Sequence, residues 1–573
     1  MQDLIRDSPL GWAIRFLTGN RVLLFPEEKE DFVLPAAFRR VPTTSQPNTS
    51  TSNSFSLEPL TPTFPHRQAS AIHAEQDAPA DKEGQRQMGV PDNADHEIQP
   101  SVAKDGKVIV TWYSADDPEN PHNWSRKKKL WIAAIINAYS FAVYFGSSVY
   151  SPGVPEMAAQ FGVSHLVGSL GLALYVLAYG IGPMVFSPLS EIPLIGRNLT
   201  YAPTFVIYVL LCIPQSLTNN FPGLLVIRFL LGFFGSPCLA TGAATFSDMY
   251  DLSYMTYCLA CWAGAVTLGP ALAPVVAGFS VSHTNWHWFG WEMMWLSAPI
   301  CIVMCISMPE TSADNILLRR ARRLRKVTGR DDLFSQSEIN QAHMTAHEIT
   351  INALIKPWEI NILDPAVLFT TVYVALIYGI FYSFLECFPL VYPVLYNFNL
   401  GESTLPFLTV VVALLFAMTS YMGHFRIFVG PRVATNGWDA PENRLYIALY
   451  ISWMIPIGLF IFAWTTRTDI HWIVSCIGLT LTMWGEYTVM QCVFMYLPFT
   501  YPKYAASLFA ANDFARSAFA AGCILFSQPM FRNLGVPRGV SLLAGLTVAC
   551  TGGLYILYYQ GAKLRARSRF AQK

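Results

Sequence analysis

DPAVLFTTVYVALIYGIFYSFLECFPLV (residues 364–391) contains only two charged residues, Asp364 at its first position and Glu386 near its end. A helix needs about 20 mostly apolar residues to cross the roughly 30 Å hydrocarbon core of a membrane, so this stretch predicts a membrane-spanning helix. The whole chain has the same character. Of its 573 residues, 53% are apolar and 13% are charged, whereas soluble globular proteins carry about 25% charged residues. The composition predicts a polytopic membrane protein and disfavours a soluble enzyme or a secreted disulfide-rich module.

Twelve stretches of this kind follow residue 129. They lie at about 130–151, 166–189, 199–218, 222–246, 254–280, 289–308, 364–391, 405–425, 444–464, 470–497, 505–528 and 538–560. We therefore predict an all-α membrane protein with an N-terminal six-helix bundle (130–308), a central loop (309–362) and a C-terminal six-helix bundle (363–560). Two groups of six spans are typical of transporters built from two repeats. A count of eleven or thirteen stays open, because only a short polar turn around Pro502 and Lys503 separates two of the stretches.

The segments outside the bundles are polar. We predict an N-terminal tail (1–129) that is largely disordered over 43–104, where Ser, Thr, Pro, Gln and Asp dominate, because such a composition buries too little apolar surface to fold. A short tail (561–573) ends the chain. The first 20 residues lack the apolar core of a signal peptide. They form either a short amphipathic helix on a membrane surface or a loosely packed segment.

Basic residues predict the orientation. Arg and Lys cluster before the first span (126–129), in the central loop (319–330) and in the last segment (563–569). Because cytoplasmic loops carry an excess of Lys and Arg, both termini and the central loop are predicted to be cytoplasmic. Lys and Arg balance Asp and Glu at 38 each, so the net charge indicates no nucleic-acid partner.

Ionisable side chains inside the predicted spans are few. An insertion cost of about 2.5–3.5 kcal/mol each makes them functional candidates. They are Arg228 in the fourth span, Glu386 in the seventh, Glu486 in the tenth, and Asp513 and Arg516 in the eleventh. We take them as candidates for proton coupling or gating.

Each candidate also has a structural alternative. Asp513 and Arg516 share one helix face, as either a structural ion pair or a gating pair. Glu386 either reaches the external surface or takes part in coupling. Glu486 has no counter-charge on its own helix, and a carboxyl group buried in that way is stabilised in its protonated form. Arg228 stays charged in any surroundings, so it needs a carboxylate, a carbonyl group or a substrate.

The fifth span contains GAVTLGPALAPVVAGF (264–279), with Gly264, Gly269, Pro270 and Gly278. Small residues let helices approach closely, and proline bends a helix. We predict either a well-packed helix or a bent, sealed contact between the two bundles.

The turn after the second span, SPLSEIPLIGRN (187–198), contains Glu191, Gly196 and Arg197. A carboxylate and an arginine at this turn can form a breakable ionic contact. We predict a latch that holds the two bundles together in one conformational state.

These stretches together resemble the fungal twelve-span drug:H+ antiporters of the major facilitator superfamily, specifically the fluconazole- and benomyl-resistance branch. The resemblance runs from about Asp117 to Ala571. It rests on DPENPHNWSRKKK before the first span, GPMVFSPLSEIPLIGRN in the turn after the second, RFLLGFFGSP in the fourth and GAVTLGPALAPVVAGF in the fifth.

The resemblance implies roles for individual residues. It makes Arg228 the fourth-span arginine of proton transfer, and it places Glu191, Gly196 and Arg197 in the family's loop motif. Gly264, Gly269, Pro270 and Gly278 occupy the family's antiporter motif. The sequence departs from the family's pattern in two places. In the loop motif, four residues separate Glu191 from Gly196 where the superfamily motif has two, and Asn198 replaces the second basic residue. In the fifth span, Ala273 replaces a glycine.

The resemblance further implies a proton-coupled exporter of drugs, fungicides or toxic metabolites that works by alternating access in the plasma membrane. We expect amphipathic organic substrates, protons and the lipid bilayer as partners, no nucleic acid, and a functional monomer. We expect no enzyme activity, cofactor or metal, because no P-loop, GxSxG or HExxH motif is present. Alternatives of the same fold are a proton-coupled importer of nutrients or polyamines, and a nutrient sensor that does not transport.

Overall fold

The structure is a computed structural model that describes residues 2–30, 32–33, 38, 107–342, 356–437, 440–501 and 505–569. The predicted disordered stretch 43–104 lies outside the described residues.

Twelve helical segments, which we call spans 1–12, build the membrane bundle in the described part of the chain. Their helices are Arg126–Ser148 (span 1), Leu170–Glu191 (2), Asn198–Leu217 (3), Phe221–Gly235 with Pro237–Met249 (4), Leu252–His283 (5), Trp288–Ser307 (6), Pro365–Tyr396 (7), Thr409–His424 with Gly430–Asn436 (8), Tyr446–Ile451 with Met454–Thr465 (9), Ile473–Thr500 (10), Ala505–Leu534 (11) and Val536–Arg567 (12). Spans 1–6 form the N-terminal half, and spans 7–12 form the C-terminal half.

Eleven of these segments are long and apolar enough to cross a membrane, judged by length and composition among the described residues. Span 11 is 30 residues long and is less apolar, because it carries Asp513, Arg516 and Arg532. Spans 10 and 11 are separate helices, since one ends at Thr500 and the next begins at Ala505.

Shorter elements connect the spans. The α-helices are Gln2–Arg6 (α1), Pro9–Leu17 (α2), Val154–Phe161, His165–Gly168, Ala313–Thr328 (α3), Gln336–Ala342 and Lys356–Leu363. Short 3₁₀-helices lie at Pro26–Glu28, Pro121–Asn123, Ser151–Gly153, Glu402–Leu408 and Pro441–Leu445, and a π-helical turn lies at Phe425–Val429. The strands Val108–Ile109 (β1) and Leu333–Phe334 (β2) pair in parallel.

The N-terminal segment packs on the central loop at one end of the bundle, which we call the tail face. Spans 1 and 7 begin at this face, and the other end is the far face. The predicted central loop contains an ordered helix, α3. Its residues Ala321 and Leu324 are buried in an apolar cluster with Phe38, Val108 and Val110, which precede the first span.

An ionic cluster holds the N-terminal segment to α3. Arg320 Nη1 lies 2.7 Å from Asp117 Oδ2, and Arg320 Nη2 lies 3.0 Å from Glu119 Oε2. Arg323 Nε lies 3.2 Å from Glu27 Oε2. Burial opposes ionisation of Asp117, but the hydrogen bond and charge of Arg320 outweigh it and lower the pKa of this carboxyl. The cluster joins residues about 200–300 positions apart in the chain.

The most extensive contacts between the two halves are those of span 2 with span 11 and of span 5 with span 8 and the turn before it. Span 2 approaches span 11 so closely that a Cβ added at Gly180 would lie 2.5 Å from Ser517 Cβ. This contact brings the middle of span 2 beside the charged turn of span 11.

Candidate functional site

Four buried tyrosines form a cluster where the two halves meet near mid-span. Tyr144 and Tyr179 belong to spans 1 and 2, and Tyr378 and Tyr382 belong to span 7. Tyr179 Oη is hydrogen-bonded to Tyr378 Oη and lies 3.0 Å from Tyr382 Oη. Tyr382 Oη also lies 2.9 Å from Ser147 Oγ of span 1. We call these four residues the tyrosine cluster; its hydroxyl groups connect the halves without a formal charge.

The predicted pair in span 11 lies next to the tyrosine cluster. Arg516 Nε donates to Asp513 Oδ1 at 2.7 Å, and both side chains are buried. Arg516 Nη2 also donates to Tyr144 Oη of the opposite half at 2.8 Å. Asp513 Oδ2 has no hydrogen-bond partner among the described residues. The pair is therefore both an ion pair within one helix and a link between the halves.

Glu486 lines a small cavity between the halves. The cavity has a volume of about 40 Å³ and is enclosed by span 5 on one side and by spans 7 and 10 on the other, with Pro270 and Tyr378 among its walls. Glu486 is buried, has no ion pair, and leaves Oε1 without a hydrogen-bond partner among the described residues. Sites for drug-sized ligands occupy about 300–1,000 Å³, so this conformation is too closed to hold such a molecule here.

Arg228 lies entirely within the N-terminal half. Its guanidinium donates to the carbonyl oxygens of Gly146 at 2.9 Å, Ser147 at 3.1 Å and Gly171 at 3.2 Å, and it lies over the rings of Tyr150 and Tyr175. Its partners among the described residues include no carboxylate. The structure therefore does not bring Arg228 together with the carboxylates of the C-terminal half, although it holds the backbone of Ser147, whose hydroxyl reaches Tyr382.

Glu386 connects the halves nearer the far face. Ser169 Oγ donates to Glu386 Oε1 at 3.0 Å, and His165 Nδ1 lies 3.7 Å from Glu386 Oε2. Both partners belong to the N-terminal half. Glu386 is buried, so it takes part in the contact between the halves and does not extend to the surface.

The small residues of span 5 face two directions. A Cβ added at Gly264 would lie 3.2 Å from Met418 Sδ, and one at Gly278 would lie 2.6 Å from Thr404 Oγ1, both in the opposite half. Gly269 faces span 1 instead, where an added Cβ would lie 2.8 Å from the carbonyl oxygen of Phe141. The helix is continuous through both of its prolines, and its glycines permit close packing between the halves.

The turn after span 2 forms an ionic cluster at the tail face. Arg197 Nε lies 3.3 Å from Asp248 Oδ2 at the end of span 4, and Arg197 Nη1 donates to Ser190 Oγ at 2.8 Å. Burial opposes the charge on Arg197, but the Asp248 carboxylate outweighs it and raises the pKa of Arg197. Glu191 is exposed; its carboxylate attracts the charge of Arg197 only at longer range, without a direct ion pair.

Glu310 completes this cluster at the start of span 3. Its carboxylate accepts hydrogen bonds from the backbone N–H groups of Arg197 at 2.9 Å and Asn198 at 3.0 Å. A carboxylate is stabilised at a helix N-terminus by the unpaired N–H groups and the helix dipole. Gly196 has φ +70°, and an added Cβ would lie 2.7 Å from Glu310 Oε2. In this conformation all these contacts lie within the N-terminal half and the segment directly after span 6. They therefore do not form the predicted latch between the two bundles.

Sequence reasoning missed the tyrosine cluster, Asp248 and Glu310. The tyrosines lie in apolar stretches, and a tyrosine is common enough in such stretches that its hydroxyl group does not mark it as a functional residue. Asp248 and Glu310 are at span ends, where charged residues are common. A usable signal was present for Glu310, which is a carboxylate directly after a span in the stretch PETSADN.

A larger cavity of about 340 Å³ lies at the tail face, away from the contact between the halves. It lies between the N-terminal segment, the start of span 1 and α3. Its charged lining residues are Asp3, Arg6, Asp7, Glu119, Lys128, Glu310, Arg319 and Arg323. Acidic and basic groups balance in this set, so the charge of the cavity selects neither an anion nor a cation.

Comparisons with known proteins agree with this geometry. The sequence model of the Major Facilitator Superfamily matches residues 136–527. An MFS-type transporter of Aspergillus violaceofuscus, pyvG, is 43% identical over 572 residues, which cover all of both chains. Fluconazole resistance protein 1 of Saccharomyces cerevisiae is 37% identical over 478 residues, which cover 82% of this chain and 86% of that protein.

A solved structure has the same fold. The proton:xylose symporter XylE matches with a TM-score of 0.55 and 11% sequence identity, over 76% of this chain and 96% of that one. At this identity the likeness concerns the fold alone. The predicted all-α architecture with two six-helix halves and the resemblance drawn from the motifs are both confirmed.

Proposed function

This chain belongs to the major facilitator superfamily of membrane transporters, and from this premise we propose that it exports drug-like organic molecules in exchange for protons. The main support for this proposal is the contact between the halves. Glu486, a carboxyl group that has no counter-charge among the residues the structure describes, lines a cavity there. Hydroxyl groups and the Asp513–Arg516 ion pair connect the two halves beside this cavity.

The residues that line the cavity favour drug-like substrates. Met483, Met490, Tyr378 and Phe381 surround Glu486. Methionine side chains are flexible and polarisable, and aromatic rings offer broad apolar faces, so such walls adapt to varied shapes. The relative from Saccharomyces cerevisiae, named for resistance to fluconazole, supports the same substrate class.

Alternating access requires that the contact between the halves can break. A neutral hydrogen bond contributes about 0.5–1.5 kcal/mol net, so the hydroxyl contacts of the tyrosine cluster separate at moderate cost. A substrate that binds the open conformation more tightly shifts the equilibrium by its difference in affinity. The closed cavity then widens as the halves rock apart.

Proton coupling is assigned to the carboxyl groups of the C-terminal half. In the closed cavity Glu486 holds its proton, because no cation of the described part of the chain pairs with it and an isolated buried carboxylate is unfavourable. When the cavity opens to water, the ionised form becomes favourable and the proton leaves. Asp513 contributes through its pair with Arg516, whose bond to Tyr144 breaks when the halves separate.

The tail face is assigned to the cytoplasm on the basis of its Lys and Arg residues. Protons then enter from the far face while substrate leaves, and the plasma membrane is the proposed location. One chain contains both halves and the whole cavity, so a monomer is sufficient for transport.

Transport by purified protein in proteoliposomes tests this proposal. When a pH gradient is imposed, we expect radiolabelled fluconazole or a rhodamine dye to move in the direction opposite to that of the protons. A protonophore, which collapses the gradient, should stop this movement. Glu486→Gln should reduce gradient-driven transport by at least about tenfold, while protein abundance and substrate binding persist. Glu359→Gln, in an exposed carboxylate at the tail face, is the matched control.

Three results would contradict parts of the proposal. Transport that continues unchanged after the gradient collapses would exclude proton exchange. Wild-type rates in Glu486→Gln would exclude this residue as the proton carrier and leave Asp513 or Glu386 in its place. Movement of substrate in the same direction as the protons would indicate an importer of the same fold.

A further inference from the structure

Helix α2 (Pro9–Leu17) begins at a well-formed cap. The side chain of Ser8 accepts a hydrogen bond from the Gly11 backbone N–H at 3.1 Å, and Pro9 occupies the first helical position. Both features favour a helix start. The helix therefore has a defined register, and the direction of each side chain is set by its position.

The distribution of side chains on α2 is the inverse of that on a water-exposed helix. Its exposed stripe contains only apolar residues: Leu10, Ala13, Phe16 and Leu17. Phe16 is 85% exposed and Leu17 is 82% exposed. The charged residue of the helix, Arg15, faces inward and is buried. A soluble surface helix presents polar residues outward and apolar residues inward, so water does not account for this stripe.

The position of α2 accounts for the stripe. The helix packs beside the tail-face ends of spans 3 and 6, and Asn198 Nδ2 at the start of span 3 lies 3.5 Å from the carbonyl oxygen of Asp7. The neighbouring span surfaces are also apolar and exposed, with Leu199 on span 3 and Ile302 and Ile306 on span 6. The stripe on α2 thus extends the surface that those spans present to lipid.

We propose that α2 is an in-plane membrane anchor, whose Leu10, Ala13, Phe16 and Leu17 insert among the acyl chains of the leaflet at the tail face. A helix with an apolar face of this kind lies in the interfacial plane of a bilayer and buries that face a few ångströms deep. The exposed basic residues Arg126 and Lys127 at the start of span 1 are at the same end of the bundle, where they suit lipid phosphates.

The inward face of α2 connects the anchor to the rest of the tail face. Arg319 of α3 lies over the ring of Trp12 at 3.4 Å from its centroid. Arg15 donates to the carbonyl oxygen of Leu23 at 2.7 Å and pairs with Glu28 at 2.7 Å. The anchor therefore holds the N-terminal segment and the central-loop helix close to the bilayer.

Photo-crosslinking of the full chain tests this inference. The protein, with benzoylphenylalanine in place of Phe16, is reconstituted in vesicles of phosphatidylcholine and phosphatidylserine and irradiated, and its adducts are identified by mass spectrometry. We expect at least about tenfold more phospholipid adducts at position 16 than at Lys29, an exposed polar position of the same segment. The probe at Trp12 should instead crosslink to α3.

Every other outcome overturns the inference. Crosslinks between two chains at position 16 would identify a second copy as the occupant, and crosslinks to a distant part of the same chain would identify an intramolecular contact. An absence of adducts would place the stripe in water. Leu17 provides a second probe position if the variant at position 16 does not purify. The readout is independent of transport, so it stands or fails separately from the proposed function.

Discussion

The two halves contribute different chemistry to the contact between them. The N-terminal half holds Arg228, a permanent cation that is satisfied by backbone carbonyl groups of its own spans. The C-terminal half holds Glu386, Glu486 and Asp513, which face the N-terminal half, the cavity and Arg516 respectively. These three buried carboxyl groups therefore all belong to the C-terminal half, whereas Arg228 of the N-terminal half carries a fixed charge.

This difference predicts a structural role for Arg228 and a pH-dependent role for the carboxyl groups. An arginine cannot deprotonate in a protein, so Arg228 shapes spans 1 and 2 without responding to pH. A buried carboxyl group responds to hydration and to nearby charge. We therefore expect a substitution of Arg228 to act through the shape of the N-terminal half, and substitutions of the buried carboxyl groups to act through charge and protonation.

The largest expected effect is that of Asp513→Asn. Removing one partner of a buried ion pair leaves an uncompensated charge, here on Arg516, at a cost of about 3–5 kcal/mol. We expect a clearly lower midpoint of thermal unfolding in detergent and loss of transport. Arg228→Lys, which keeps its charge, should lower the midpoint less. If Arg228→Lys lowers the unfolding midpoint as much as Asp513→Asn or more, the proposed difference between the halves is wrong.

Gly278→Ala should act through shape alone. Its new Cβ would lie 2.6 Å from Thr404 Oγ1 of the opposite half, and overpacking of this kind costs about 1–3 kcal/mol. We expect the halves to spend less time in contact near the far face, measured as a longer distance between spin labels there. Gly545→Ala in span 12 has open space around the added methyl group, and its distances should equal those of the wild type.

Tyr382→Phe should weaken the contact between the halves without changing a charge. The substitution removes a hydroxyl group that contacts both Ser147 and Tyr179, at a cost of about 1 kcal/mol, or about fivefold in the population of the closed state. Tyr392→Phe is the control, because its hydroxyl contacts Ser475 within one half. If both variants change the spin-label distances equally, the tyrosine cluster has no special part in closure.

Glu386→Gln should have the smallest effect at a single pH. The amide oxygen still accepts the hydrogen bond from Ser169, while the attraction for protonated His165 is lost. We expect transport rates within about twofold of the wild type near neutrality and a flatter dependence on the pH at the far face. Ser475→Ala, which removes a hydroxyl group that contacts Tyr392 within one half, should leave that pH dependence unchanged; an unchanged profile in Glu386→Gln would remove this residue from coupling.

The candidate residues show how far sequence reasoning reaches. Charged residues inside apolar stretches are identified by the free-energy cost of placing them in a membrane. Four of those identified in this way lie at or beside the contact between the halves: Glu386, Glu486, Asp513 and Arg516. Arg228 stood out equally but faces its own half. The pairing of Arg197 with Asp248 instead of Glu191 was not readable, because it depends on how span 4 ends beside the turn after span 2.

By itself, the sequence determined which segments are long and apolar enough to cross a membrane and which family the chain belongs to. Helix length and hydrophobicity are local properties, since a single apolar helix satisfies its own backbone in lipid. Only the tertiary structure decided that Ser147 meets Tyr382, that Arg516 meets Tyr144 and that the apolar stripe of α2 faces outward. Those contacts depend on how separate helices rotate and pack, and no local pattern of residues encodes that rotation.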